Sequence, residues 1–238
     1  MRRHLKKYAG RLKQALADSH ALATRLDAPE FPLSALELLQ NWQRERLADS
    51  YADLIGQDRY VAAGEFFLAE LYGGLYFRER DQQVEKVLPV MVRMLRDDML
   101  LALAKAFELQ SLSLSLDIDM AVVLQHSGWD GLNTPRYGEI YRACGRRADR
   151  KQQIDWIRRL GLELNKLVHH RLVFWMVKTV RGPARAAGFG RLQSFLESGL
   201  NAFRVMGDGT EFIETIWRRE STAMQRLFAG SEKPFDIQ

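Results

Sequence analysis

Leu112-Ser113-Leu114-Ser115-Leu116-Asp117-Ile118-Asp119-Met120 is the stretch on which the fold turns. It alternates apolar and polar residues at period two, the signature of a half-buried strand. A strand must pair, and no second alternating run of similar quality exists in the chain to receive its backbone hydrogen bonds. The surroundings point to helix. Prolines fall only at 29, 32, 89, 135, 183 and 234, which leaves long windows for uninterrupted helices. Within them apolar residues recur three and four apart, and Ala, Leu, Arg, Glu and Gln, all good helix formers, are abundant. The segment is therefore read as helix and the protein as all-α, a bundle of about eight to ten helices around a long buried central helix. Helices are expected near 3–25, 33–56, 59–72, 81–95, 98–109, 112–126, 135–144, 150–180, 189–206 and 210–229. Thr134-Pro135 reads as an N-cap followed by proline at the first helical position, and Asp149 with Gln152, like Asp208 with Glu211, has capping-box spacing.

With 238 residues, 47% hydrophobic and 27% charged, the chain can bury a real core and is neither a disulfide-stapled miniprotein nor a disordered tail. Its one cysteine, Cys144, excludes an internal disulfide and a thiolate metal cluster, so a reducing, cytoplasmic setting is expected. No apolar h-region follows the basic start, and wholly apolar runs such as Leu172 to Val177 fall far short of the roughly 20 residues a bilayer needs, so neither a signal peptide nor a membrane span is expected. A single domain over 1–238 accommodates these features. The polar stretch 127–134 is the best candidate for an internal boundary, though it equally suits a loop within one domain.

The formal charge is +5, and Arg2, Arg3, Lys6, Lys7, Arg11 and Lys13 precede the first acid, Asp18. Leu5, Tyr8, Leu12 and Leu16 recur among them at helical spacing, so residues 1–25 form a basic amphipathic helix with one apolar stripe. The plain reading is a terminal helix docked by its stripe with solvated lysines. The alternatives are an anionic membrane surface bound through residues 1–14, or an acidic protein partner. No aromatic residues interleave with the charges as base-stacking surfaces require, which disfavours nucleic acid.

In the helix at 150–180, Ile154, Ile157, Leu160, Leu164, Leu167 and Val168 mark one face, and 172–177 is apolar all round. An all-round apolar turn is expected to be buried, with Phe174, Trp175 and Met176 each contributing roughly 1.5–3 kcal/mol, so this is the expected central helix. His169 and His170 stand where it turns apolar and are candidate haem or metal ligands. Adjacent helical residues point about 100° apart, so at most one of the two faces inward. No Glu-x-x-His, His-Glu-x-x-His, EF-hand loop or Gly-x-Ser-x-Gly elbow occurs, so no metal site is assigned and the cofactor is left open.

Between Arg181 and Arg191, glycines precede a helix among arginines, an arrangement that can hold a phosphate or carboxylate through Arg181, Arg185 and Arg191. No strand precedes it, so it is no P-loop, and a tight interhelix turn explains the small residues as well. In Glu65 to Gly74, Phe67 and Leu71 form an apolar pair one turn apart, and Gly73 ends the helix. Glu70 then faces the negative end of the helix dipole and is expected to pair with Arg78 or Arg80.

Phe66 to Tyr72, reading FFLAELY, resembles the bacterial proteins named for an FFLEELY motif. The resemblance rests on Phe66, Phe67, Glu70 and Tyr72, on Phe77, Arg80-Asp81 and Pro89, and on the stretches Arg181 to Met206 and Phe212 to Glu220, within about residues 60–230. Ala69 stands at the motif's second glutamate, and Gly74 where a proline is expected. The resemblance implies a proteobacterial cytosolic protein and favours helix for 112–126; it implies no activity and no cofactor.

Three functions follow from these readings. The first is a non-catalytic binding protein for a protein partner or small ligand, on the strength of a large core without a recognisable catalytic set. The second is a haem- or metal-dependent enzyme built around His169 or His170. The third is a peripheral membrane protein using the basic N-terminal helix.

Overall fold

A computed structural model describes residues 7–68, 92, 96–168, 175, 177–179, 181–182 and 190–237, the side chains of 190–192, 195 and 196 excepted. Among the described residues the protein is all-α, with no strand. Its helices are α1 (Ala9–Arg25), α2 (Leu33–Ser50), α3 (Ala52–Ile55), α4 (Val61–Phe66), α5 (Asp97–Ser127), α6 (Thr134–Ala143), α7 (Arg147–Leu167), α8 (Gly190–Met206) and α9 (Thr210–Phe228).

The alternating stretch lies inside α5, where one continuous 31-residue helix replaces the two expected at 98–109 and 112–126. Residues two apart on a helix point about 200° apart, nearly opposite ways. A helix clasped between neighbours can therefore carry an alternating sequence. Leu116, Ile118 and Met120 are all buried, and the intervening Asp117 and Asp119 reach α2 and the start of α7 respectively. Gly128, in the left-handed region at φ 68°, ends the helix.

This makes α5 the hub. It packs on α1, α2, α6 and α7. Its first half meets the α1 stripe, Leu100, Ala104 and Phe107 clustering with Leu12, Ala15 and Leu16. Its second half joins Leu36, Leu39, Tyr137, Ile140, Ile154 and Leu227 in the largest cluster. That cluster draws on both sides of the 127–134 loop. A further cluster gathers Tyr60, Phe203, Met206, Phe212 and Ile213, with Phe67 packed against it.

The expectation that the 150–180 helix would be central is corrected. The central place belongs to α5, and Trp175, placed by its apolar neighbours in a buried turn, is 63% exposed, while Phe174 and Met176 lie outside the described residues. The buried line on α7 runs Arg150, Ile154, Gly161, Asn165, so it includes polar residues that a reading of apolar positions passes over.

Two expected starts also shift. Asn133, not Thr134, caps α6, its side chain accepting from the Arg136 N–H at 3.0 Å. Asp149 lies in the first turn of α7 and pairs with Arg146 instead of capping. Asp208 precedes α9, where it accepts from the Thr210 N–H and hydroxyl at 3.0 and 2.7 Å and from Asn165 at 3.1 Å. The expected 33–56 helix breaks at Tyr51, which leaves helical geometry at φ −118°, ψ 12°.

Among the described residues α5 alone is long and apolar enough to cross a membrane by length and composition. Two charges near its middle are tied to other helices. Glu108 receives a two-pronged pair from Arg11 of α1 at 2.6 and 2.7 Å, and Lys105 reaches Glu163 of α7 at 2.5 Å.

Candidate functional site

Buried charge collects where α2, α5, α6, α7 and α9 converge. Arg150 is 7% exposed, beneath the Tyr141 ring at 5.0 Å. It donates to Gln153 Oε1 at 3.0 Å and lies 4.0 Å from Asp117, an ion pair without a hydrogen bond. Gln43 and Gln40 instead donate to Asp117 at 3.2 and 3.4 Å. Burial pushes the Asp117 carboxyl above the usual carboxylate range, with Arg150 and the two glutamines opposing it. Tyr137 and Tyr141 are likewise raised by burial, against the field of Arg150.

On the other side of these tyrosines, Arg46 forks onto Glu220 at 2.5 and 3.2 Å, and the Tyr51 hydroxyl donates to the same carboxylate at 2.8 Å. Burial works against the charge on Arg46, but Glu220 overrides it, so its pKa ends above the ordinary arginine value. Trp42 stacks on Tyr137 at 4.3 Å between centroids. A cavity of about 10 Å³, bounded by Arg46, Tyr51, Arg219, Glu220, Phe235 and Ile237, adjoins the pair. That is room for about one water. Chemically the centre is a charge-balanced clasp, two arginines against two carboxylates.

A second clasp joins α7 to α9. Arg158 grips Glu214 at 2.9 and 2.8 Å, and the Trp217 indole N–H donates to Asp155 at 2.9 Å. The Lys151 ammonium, then the Trp217 indole, hold Asp155 below the usual carboxylate range. A carboxylate lowered on folding stabilises the native state above its unfolded pKa, and that stability is lost as pH falls through the folded value. Asp155→Asn is therefore expected to narrow the gap between stabilities measured at pH 7 and pH 3 in urea titrations followed by tryptophan fluorescence. An unchanged gap would remove Asp155 from the acid response.

The described residues among those singled out from the sequence do not converge on this centre. Phe66 and Phe67 are packing residues: Phe67 sits 5.7 Å from Phe212 and 6.2 Å from Phe203, and a Cβ at Gly199 would fall 2.8 Å from the Phe66 ring. Arg181 is exposed and grips Glu197 with both prongs at 2.6 Å, so its guanidinium already faces a carboxylate. His169, His170, Glu70, Tyr72, Arg78, Arg80 and Arg185 lie outside the described residues, as does the Arg191 side chain. Among the described residues no group of three or more His, Cys, Asp or Glu could hold a metal. The apolar stripe of α1 is already covered by α5.

A family model for a domain of unknown function, DUF8198, matches residues 21–234. The chain belongs to the DUF8198 family. No curated protein and no solved structure matches it. The DUF8198 match takes in Trp42, Arg46, Asp117, Tyr137, Arg150 and Glu220, and so the whole buried centre, while α1 begins before it and Phe235 to Ile237 lie just beyond it. The residues missed from sequence, Arg46, Arg150 and Glu220, carried one available signal: Arg150 falls one helical turn before Ile154 on the buried line of α7.

Proposed function

We propose that this chain is a single-domain, non-catalytic binding protein whose partner is another protein. The observation that carries the reading is Trp175, 63% exposed on the surface. An indole left in water forgoes a large burial energy, and tryptophan is among the residues most enriched at the energetic centres of protein interfaces. The polar centre supports the same reading, since its charges are engaged with one another and the adjoining cavity has no room for a metabolite. The resemblance to FFLEELY-motif proteins supports a bacterial, cytoplasmic setting, and the ties of Lys105 and Glu108 to α7 and α1 support α5 as a bundle helix in water.

The test is co-purification of crosslinked complexes from the source cells with the native chain and with Trp175→Ser. A partner recovered with the native chain should fall at least about tenfold with the variant, as for a residue at the centre of an interface. Identical recovery with both chains would remove Trp175 and the reading built on it.

A further inference from the structure

The last described residues make a strap. α9 ends in a Schellman motif: the Gly230 N–H donates to Leu227 O at 3.1 Å and the Ser231 N–H to Arg226 O at 3.0 Å, with Gly230 in the left-handed region at φ 76°. This reverses the chain. Ser231, Glu232 and Lys233 run exposed, and Pro234 then buries itself as the segment folds back over α2, α6 and α9. The Phe235 ring packs against both members of the Trp42–Tyr137 stack, 6.0 Å from Trp42 and 6.1 Å from Tyr137, with the Arg46 guanidinium over it at 4.7 Å. Arg226 reads the backbone, donating to Asp236 O at 2.7 Å and to Lys233 O at 3.4 Å. Ile237 closes the cavity beside Arg46 and Glu220.

The seat is held by contacts that involve no strap residue: Arg46 forks onto Glu220, and Trp42 stacks on Tyr137. What the strap supplies is a proline, an aromatic ring, an aliphatic side chain two residues later, and two carbonyls. Any short peptide with that pattern offers the same groups. A cationic face over a ring and an arginine aimed at backbone carbonyls are recognition devices that do not depend on which chain carries the peptide. The seat lies within the span matched to the family, and the plugging side chains Phe235 and Ile237 lie just past its end.

We propose that the groove under Pro234–Ile237 is a peptide-binding surface held shut by the chain's own strap. Its partner is a segment of another protein carrying proline, aromatic, any residue, aliphatic in that order. This rests on the reading of the chain as a protein-binding module and names the partner's chemistry at a surface separate from Trp175. Because the strap is tethered, it competes at high effective concentration, so a free peptide binds the native chain poorly until the strap is weakened.

The experiment titrates a fluorescein-labelled peptide of residues 231–237 into the full chain by fluorescence anisotropy. It compares the native protein, Phe235→Ala, which removes the plug, and Gly230→Ala, which strains the strap's turn without touching the seat. The expected result is at least tenfold tighter binding to Phe235→Ala than to the native chain, a smaller gain for Gly230→Ala, and no binding of a peptide whose phenylalanine is replaced by alanine. Circular dichroism confirms that both variants keep their helix content. Equal affinity for all three chains, or binding that survives loss of the peptide's ring, would overturn the proposal. So would a native dimer in light scattering that Phe235→Ala abolishes, which would assign the groove to a second copy's strap. Loss of the Trp175-dependent partner alone leaves the groove result standing, and the reverse holds as well.

Discussion

Phe212→Ala is expected to lower the unfolding free energy by about 3–5 kcal/mol, the cost of truncating a closed-packed aromatic residue. Phe212 is 1% exposed in the first turn of α9, with Tyr60 at 5.1 Å and Phe67 at 5.7 Å between ring centroids. Its neighbours come from α8 and from the segments around α4, so the void left by truncation cannot be closed by one helix moving alone. Urea unfolding followed by circular dichroism gives the number, and the melting temperature should fall by roughly 10 °C. Val205→Ala is the control. At 52% exposed, that side chain should change stability by no more than about 0.5 kcal/mol. A Phe212→Ala loss below about 1 kcal/mol would mean that this cluster does not hold the α8–α9 end together.

Glu220→Ala is expected to cost about 3 kcal/mol, for a different reason. The Arg46 side chain is 12% exposed and that of Glu220 20%. An arginine cannot shed its charge, so removing the carboxylate leaves a cation with little access to water and takes from the Tyr51 hydroxyl the nearer of its acceptors, leaving the Ile216 carbonyl at 3.5 Å. The pair itself contributes much less than its breaking costs. Arg46→Met combined with Glu220→Leu should therefore recover at least half of the loss, and the double-mutant cycle should show strong coupling. If the double variant proved as unstable as Glu220→Ala, the loss would belong to packing around α2 and α9 and not to the stranded charge.

These two residues mark what the sequence allowed to be read. The Phe66-Phe67 pair and the period of α9 place the aromatic cluster within reach of a reading of apolar positions. The helical assignment of Leu112 to Met120 was reachable because the sequence holds no second alternating run of similar quality to pair with it. Its burial between opposite neighbours was not, because period two looks the same whether it comes from a pleated face or from a helix clasped on both sides. Arg46 and Glu220 lie 174 positions apart, and nothing local to either announces the other. Trp175 erred in the opposite sense: six apolar residues in a row predict burial, while its exposure depends on which elements stand nearby. The strap was illegible for a similar reason, since Pro234 and Phe235 acquire meaning only where Gly230 reverses the chain onto Trp42.

The docking of α1 on α5 has a consequence for biosynthesis. Arg11 and Glu108 are 97 positions apart, and the apolar stripe of α1 is covered chiefly by Leu100, Ala104 and Phe107. At ribosomal speeds of about 5–20 residues per second, the nascent helix waits roughly 5–20 seconds before its cover is made. During that interval its apolar stripe has no cover from its own chain, so this segment meets solvent and whatever binds nascent chains before it meets α5.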